Sequence, residues 1–132
     1  MPRELFWLTL TAAMTALMWI PYILDRIRVR GLMETMDNPK PHATPQSAWA
    51  MRMYFAHTNA VDNLVVFVTL VLIADSLGIS NRVMVIACVV YFWARLAHFI
   101  VYSLGTPILR TLTFAVGFAA QIAMVLAIFR LV

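Results

Sequence analysis

Long apolar stretches alternate with short polar segments along the whole chain. The apolar stretches cover about 5–24, 53–74, 83–104 and 111–129. Each is close to the roughly 20 apolar residues that a helix needs to cross the hydrocarbon core of a bilayer. This pattern predicts an all-α integral membrane protein in which four spanning helices form a bundle, with residues 1–132 as a single domain.

The segments between the apolar stretches predict how the helices are connected. Residues 31–47 include three prolines and indicate a loop, and Ser47 is predicted to cap the helix that follows. The segments 75–82 and 105–107 each contain a glycine and indicate turns. The first apolar stretch is too long for the core of a cleavable signal peptide, so we expect a retained helix, kinked near Pro21.

Composition and charge support a membrane protein and indicate its orientation. Hydrophobic residues make up 63% of the chain, the mean hydropathy is +0.84, and the net charge is +4 at pH 7. Because the first and third connections carry most of the basic residues, the positive-inside rule places them in the cytoplasm and both termini on the other side. The basic residues lie at span ends rather than among exposed aromatics, so no nucleic-acid partner is predicted. The short loops favour a bacterial inner membrane.

The second apolar stretch begins with an unusual group of polar residues. On an ideal helix Arg52, Asn59 and Asn63 fall within a stripe roughly 40° wide, with Asp62 about 80° to one side and His57 nearly opposite. A charge at the membrane centre costs on the order of 3 kcal/mol. We therefore expect Asp62 to face the bundle interior or a wet cavity, and to find a partner there.

The third stretch carries a second polar stripe, in which Arg95, His98 and Tyr102 fall within roughly 60°. Because this helix runs antiparallel to the second, these residues meet Arg26 and Arg110 at the cytoplasmic end. One interpretation is that Asp62 and Arg95 form an ion pair whose only role is to hold two helices together. The other is that the set binds a ligand with carboxylates and an amine, such as a small thiol peptide. The histidines are scattered and there is one cysteine, so no metal site is predicted.

Three motifs resemble those of one membrane protein family. The sequence AHTNAVDN, residues 56–63, resembles the second-helix signature of the MAPEG family, the membrane-associated proteins of eicosanoid and glutathione metabolism. RLAHFIVY, residues 95–102, is similar to the family's third-helix Arg-x-x-Tyr-x-x-Gly-Tyr motif, and GTPILR, residues 105–110, to the turn and arginine that open its fourth helix. The resemblance implies a homotrimer that holds glutathione between neighbouring subunits near the cytoplasmic side.

The same resemblance implies an activity and roles for individual residues. The protein would be a glutathione-dependent transferase or peroxidase, acting on a lipophilic small-molecule electrophile or hydroperoxide taken from the membrane lipid. Asn59 and Asp62 would bind the backbone and amine of glutathione, and Arg110 would lie near the thiol and favour the nucleophilic thiolate. The remaining residues predicted to bind glutathione are Arg26, Arg52, Arg95, His98 and Tyr102.

The chain departs from the family pattern at positions that concern the thiol. Phe55 stands where many glutathione-using members have arginine, and His98 stands where they have the first tyrosine of the third helix. Asp62 replaces the more usual glutamate. The alternative interpretation is a non-catalytic trimeric membrane protein of the same fold that binds a lipid or an anionic metabolite.

Overall fold

The computed structural model describes residues 1–132 and contains helices but no strands. The helices are α1 Arg3–Leu17, α2 Trp19–Arg30, α3 Leu32–Met36, α4 Ala48–Ser76, α5 Arg82–Leu104 and α6 Pro107–Ile128. By length and composition four helical segments can cross a membrane, and α1 and α2 together form the first of them. This confirms the prediction of an all-α fold with four spanning helices.

The first span is interrupted one turn before its proline. The backbone nitrogen of Met18 donates to the carbonyl of Thr15, three residues back, at 3.2 Å. Pro21 has no backbone N–H, so the carbonyl of Leu17 has no partner four residues on. A short tight turn between α1 and α2 is the result.

Helix α5 lies at the centre of the bundle, in contact with α1, α4 and α6. The aromatic ring of Phe67 stacks on that of Tyr91, with centroids 4.0 Å apart. Alanines supply much of the remaining packing surface, which allows the helix backbones to approach closely. The buried hydrophobic core consists of Phe67, Val71, Ala74, Met84, Ala87, Cys88, Tyr91, Ala120, Met124 and Ala127.

Polar contacts fasten the start of α4 to α2. The carboxylate of Asp25, buried in α2, accepts hydrogen bonds from the hydroxyl and the backbone nitrogen of Ser47 at 2.7 and 3.0 Å. The side-chain amide of Gln46 donates to the carbonyl of Tyr22 at 2.6 Å. The predicted capping role of Ser47 is therefore wrong at the level of its side chain. The hydroxyl of Ser47 instead donates to Asp25 of α2, because a buried carboxylate needs hydrogen-bond donors.

The first connection also contains an exposed ion pair. Lys40 donates to Asp37 at 2.7 Å, and this hydrogen bond holds the pKa of the Asp37 carboxyl below its ordinary value and raises the pKa of Lys40. The pair closes a local turn of the loop. As both groups are exposed, it adds little to stability.

The turn from α5 to α6 requires its glycine. Gly105 ends α5 in the left-handed conformation, with φ +77°. A Cβ built there would lie 3.1 Å from Nε of Arg52. The same Arg52 nitrogen donates to the carbonyl of Ser103 at 2.9 Å, so the end of α5 is held against the first part of α4.

Candidate functional site

A polar cleft of about 200 Å³ opens where α5 ends and α6 begins. Helices α4, α5 and α6 all contribute to its walls. Its lining residues are Asn59, His98, Tyr102, Arg110, Thr111 and Phe114. The cleft therefore brings together several of the residues that the sequence motifs single out.

Arg95 lies next to the cleft and contacts one of its lining residues, Asn59. Its side chain is buried, and Nη2 donates to Oδ1 of Asn59. Since a guanidinium can only donate, this bond assigns the oxygen of the Asn59 amide to Arg95 and leaves the amide nitrogen free to serve as a donor. Gly117 on α6 lies beside the arginine, and a Cβ built there would be in ordinary van der Waals contact with Cδ of Arg95, at 3.5 Å.

His98 is held by α6 through one ring nitrogen. Its Nδ1 lies 3.0 Å from the carbonyl of Arg110 and 3.2 Å from the hydroxyl of Thr113. Its Nε2 is buried and has no hydrogen-bond partner in the chain. An unpartnered buried polar atom costs about 1–3 kcal/mol, and the chain itself supplies no hydrogen bond that would offset this cost at Nε2.

Arg110 contributes a cation without an anionic partner. The carbon of its guanidinium lies 4.6 Å from the centre of the Tyr102 ring, within the range of a cation–π contact. The ion pairs of the chain lie elsewhere, within α2, α3 and the loop that follows. A half-buried guanidinium beside an amide and a tyrosine is suited to an anion such as a carboxylate or a thiolate.

Four of the eight predicted site residues do not line this cleft: Arg95, which lies next to it, and Asp62, Arg52 and Arg26. Arg52 is occupied by the carbonyl of Ser103. Arg26 donates to Oε1 of Gln46 at 3.2 and 3.4 Å and lines a separate cleft of about 330 Å³ beside the first loop. Neither side chain lines the polar cleft.

Asp62 does not face the interior of the four-helix bundle within one chain, so that part of the prediction is wrong. It is the middle residue of α4, and it is exposed. It forms no ion pair, so its pairing with Arg95 within one chain is wrong too. The buried side of α4 is defined by Ala56, Ala60, Phe67, Val71 and Ala74. On an ideal helix Asp62 lies roughly 140° from the centre of that side.

His57 lies away from the polar cleft, as the helix rotation predicted. Its Nδ1 is 2.8 Å from the hydroxyl of Tyr22. This contact joins α4 to the first span. It gives His57 a structural partner remote from Arg110.

Two buried polar residues near the site were missed by the sequence motifs. Tyr91 precedes Arg95 by four residues and so shares its face of α5, and its hydroxyl is buried without a partner. Gln121 on α6 donates to the carbonyl of Asn63 at 3.1 Å. The helical spacing could have identified Tyr91. Gln121 could have been identified as a polar residue within an apolar span, but its partner could not, because that partner is a backbone atom on another helix.

Fold and cleft together define a polytopic membrane protein with a cleft that contains an arginine at one end of a four-helix bundle. The sequence profile of the MAPEG family matches residues 5–130 of the 132-residue chain. The protein therefore belongs to the MAPEG family of membrane proteins, which is associated with glutathione and eicosanoid metabolism. No curated protein and no solved structure matches the chain significantly.

Proposed function

We propose that this protein is a membrane-embedded glutathione-dependent transferase or peroxidase acting on a lipophilic electrophile or hydroperoxide. The main supporting observation is the guanidinium of Arg110, which lines the cleft and has no carboxylate partner in the chain. A cation beside a thiol favours the thiolate, which is the nucleophilic form. Family membership supports the same thiol.

The geometry suggests how the cleft would hold the peptide. The amide nitrogen of Asn59 is free to donate, because Arg95 occupies the oxygen. It would bind a carbonyl or carboxylate oxygen of glutathione. The hydroxyl of Tyr102 lies along the same wall and would supply a further hydrogen bond.

An apolar cleft adjoins the polar one and would admit the lipophilic substrate. It has a volume of about 290 Å³ and is lined by Pro107, Ile108, Thr111 and Leu112. Thr111 belongs to both clefts. A substrate dissolved in the membrane lipid could therefore meet the thiolate without leaving the apolar phase.

The complete site would require a second copy of the chain, and we propose a homotrimer. The polar cleft of about 200 Å³ is smaller than the roughly 300 Å³ at which small-molecule pockets begin. Asp62 is exposed at the middle of a spanning helix, where contact with lipid is costly. A neighbouring subunit would enlarge the pocket and cover Asp62, whose carboxylate would bind the amine of glutathione. Arg26 and Arg52 would line the outer part of the same pocket.

Orientation and location follow from the distribution of charge. The basic residues of the first connection and Arg110 lie at one end of the bundle, which we place in the cytoplasm. Both termini would then be non-cytoplasmic, in a bacterial inner membrane. Glutathione would reach the cleft from the cytoplasm.

Phe55 favours a second candidate function. Its ring is 50% exposed on α4, at the position where many glutathione-using members have arginine. A protein that lacks this cation could keep the fold and bind a lipid or another anionic metabolite without catalysis. The two functions differ in whether a thiolate forms.

Titration of purified protein with glutathione in a calorimeter tests the proposal. We expect saturable binding and, on rapid mixing, the ultraviolet absorbance of a thiolate near neutral pH. S-methyl glutathione is the matched ligand control, since it should bind without the absorbance. The absence of heat at millimolar glutathione would support the non-catalytic function instead.

Replacement of Asp62 with asparagine tests the role of the subunit boundary. Light scattering in detergent should give three copies of the 15.0 kDa chain for the wild type and for Asp62→Asn. Glutathione binding should weaken at least about tenfold in the variant, because a hydrogen bond to a charged group is lost. Asp75→Asn, at the C-terminal end of α4 and away from the polar cleft, is the control. Dissociation of Asp62→Asn into monomers would mean that the carboxylate joins subunits rather than binding the ligand.

A further inference from the structure

The imidazole of His98 has a defined tautomer. Its Nδ1 faces the carbonyl of Arg110 at 3.0 Å, and a carbonyl can only accept a hydrogen bond. The hydroxyl of Thr113 donates to the carbonyl of Leu109 at 2.8 Å, so it too faces the ring with a lone pair. The proton of the neutral ring is therefore on Nδ1, and Nε2 carries the lone pair.

The lone pair on Nε2 is buried and unused. His98 is 3% exposed, and Nε2 has no partner in the chain. The same residue lines the polar cleft beside Arg110 and Asn59. In a histidine that acts as a general base, one ring nitrogen is often held by a carbonyl while the other accepts the proton. His98 has this arrangement.

The hydrogen bond between His98 and α6 also places the imidazole close to Arg110, the cation proposed to stabilise the thiolate. The carbonyl that orients the ring belongs to Arg110 itself, and the Arg110 side chain lies against Tyr102, one turn further along α5 from His98. Any ligand whose sulfur approaches the guanidinium therefore enters the cleft that His98 lines. The base therefore contacts the backbone of the residue that carries the cation.

We propose that Nε2 of His98 takes the proton of the glutathione thiol, a role that rests on the proposed function. The S–H bond breaks, an N–H bond forms at Nε2, and the electron pair stays on sulfur next to the guanidinium of Arg110. When sulfur attacks a conjugated double bond of the acceptor, the C–S bond forms and the displaced electron pair takes the proton from Nε2. The imidazole then returns to its starting state.

The charged groups around the ring determine when it can hold the proton. The charged groups acting on His98 are Arg95 on its own helix and Arg110 on α6. Helix α4 presents the neutral Asn59 to the cleft, and the buried carboxylate of α1 is Glu4, bound to Ser80 at the other end of the bundle. An imidazolium between two guanidinium groups is stable only beside the thiolate. Protonation of the ring is thus coupled to the bound thiol.

Counting protons during thiolate formation tests this role. Wild-type protein and glutathione are mixed rapidly in a weak buffer containing a pH indicator, and thiolate absorbance and indicator colour are recorded together. We expect the wild type to release much less than one proton per thiolate. His98→Asn can keep the donor to the Arg110 carbonyl but has no base. It should release one proton per thiolate and form the thiolate roughly 100-fold more slowly, the lower range of general-base effects.

His42→Asn is the matched control, since His42 is exposed in the first loop. It should behave as the wild type. Release of a full proton per thiolate by the wild type would overturn the role of His98 and leave the glutathione-dependent function standing. The number of protons released by the wild type tests the role of His98 even if His98→Asn fails to fold. Failure of glutathione to bind at all in the calorimeter would overturn the proposed function, and the role of His98 with it.

Discussion

Replacing Arg110 with alanine is expected to abolish most thiolate formation while leaving the bundle folded. The guanidinium makes a cation–π contact with Tyr102 and no ion pair, so its loss should cost the fold only about 0.5–1 kcal/mol. The thiolate, in contrast, loses its positive partner. A charge-assisted hydrogen bond of about 1.5–3 kcal/mol corresponds to roughly a 10- to 100-fold smaller thiolate fraction.

Rapid-mixing absorbance and thermal unfolding of the same preparation measure the two effects separately. Arg110→Lys should restore part of the thiolate, because the positive charge remains while the forked hydrogen bonding is lost. Arg82→Ala removes an exposed arginine at the opposite end of α5 and serves as the control. An undiminished thiolate signal in Arg110→Ala would assign thiol activation to another group.

Replacing Arg95 with alanine is expected to destabilise the protein more than any other change at the site. The side chain is 2% exposed, packs against Gly117 and donates to Asn59. Its removal leaves a cavity and an amide oxygen without its donor, at a cost of about 3–5 kcal/mol. The melting temperature in detergent should fall sharply.

A second substitution separates packing from positioning. Arg95→Met fills most of the same volume without the charge, and buried ionic groups can often be replaced by hydrophobic ones at little cost. This variant should therefore melt close to the wild type. It should nevertheless bind glutathione more weakly, since Asn59 is no longer held with its amide nitrogen free. Normal glutathione binding by Arg95→Met would show that Asn59 does not depend on Arg95 for its position.

The polar cleft could be anticipated in part from helix geometry. His98 and Tyr102 lie one turn apart on α5, and antiparallel packing brings that end of α5 next to the start of α6, where Arg110 lies. Asn59 was assigned to the right side of α4 by the same periodicity. These assignments needed only the helical repeat and the order of the spans.

The wrong predictions concern side chains for which two environments or two hydrogen-bond partners were possible. Asp62 was expected inside because lipid contact is costly, but the rotation of α4 is set by the apolar side that includes Ala60 and Phe67. Ser47 stands at the helix start, yet its hydroxyl binds the buried Asp25. In both cases packing against other helices outweighed the local preference.

By itself the sequence determined the class of protein and the number of spans, because a bilayer imposes a minimum apolar length on each helix. It also determined the family, through motifs on the second and third spans and the turn that follows. Only the tertiary structure decided which polar residues meet. It joined Arg95 to Asn59 and fixed one nitrogen of His98 on the Arg110 carbonyl, leaving Asp62 on the outer face. Such contacts depend on how each helix is rotated about its axis, which follows from the packing of the whole bundle rather than from local sequence.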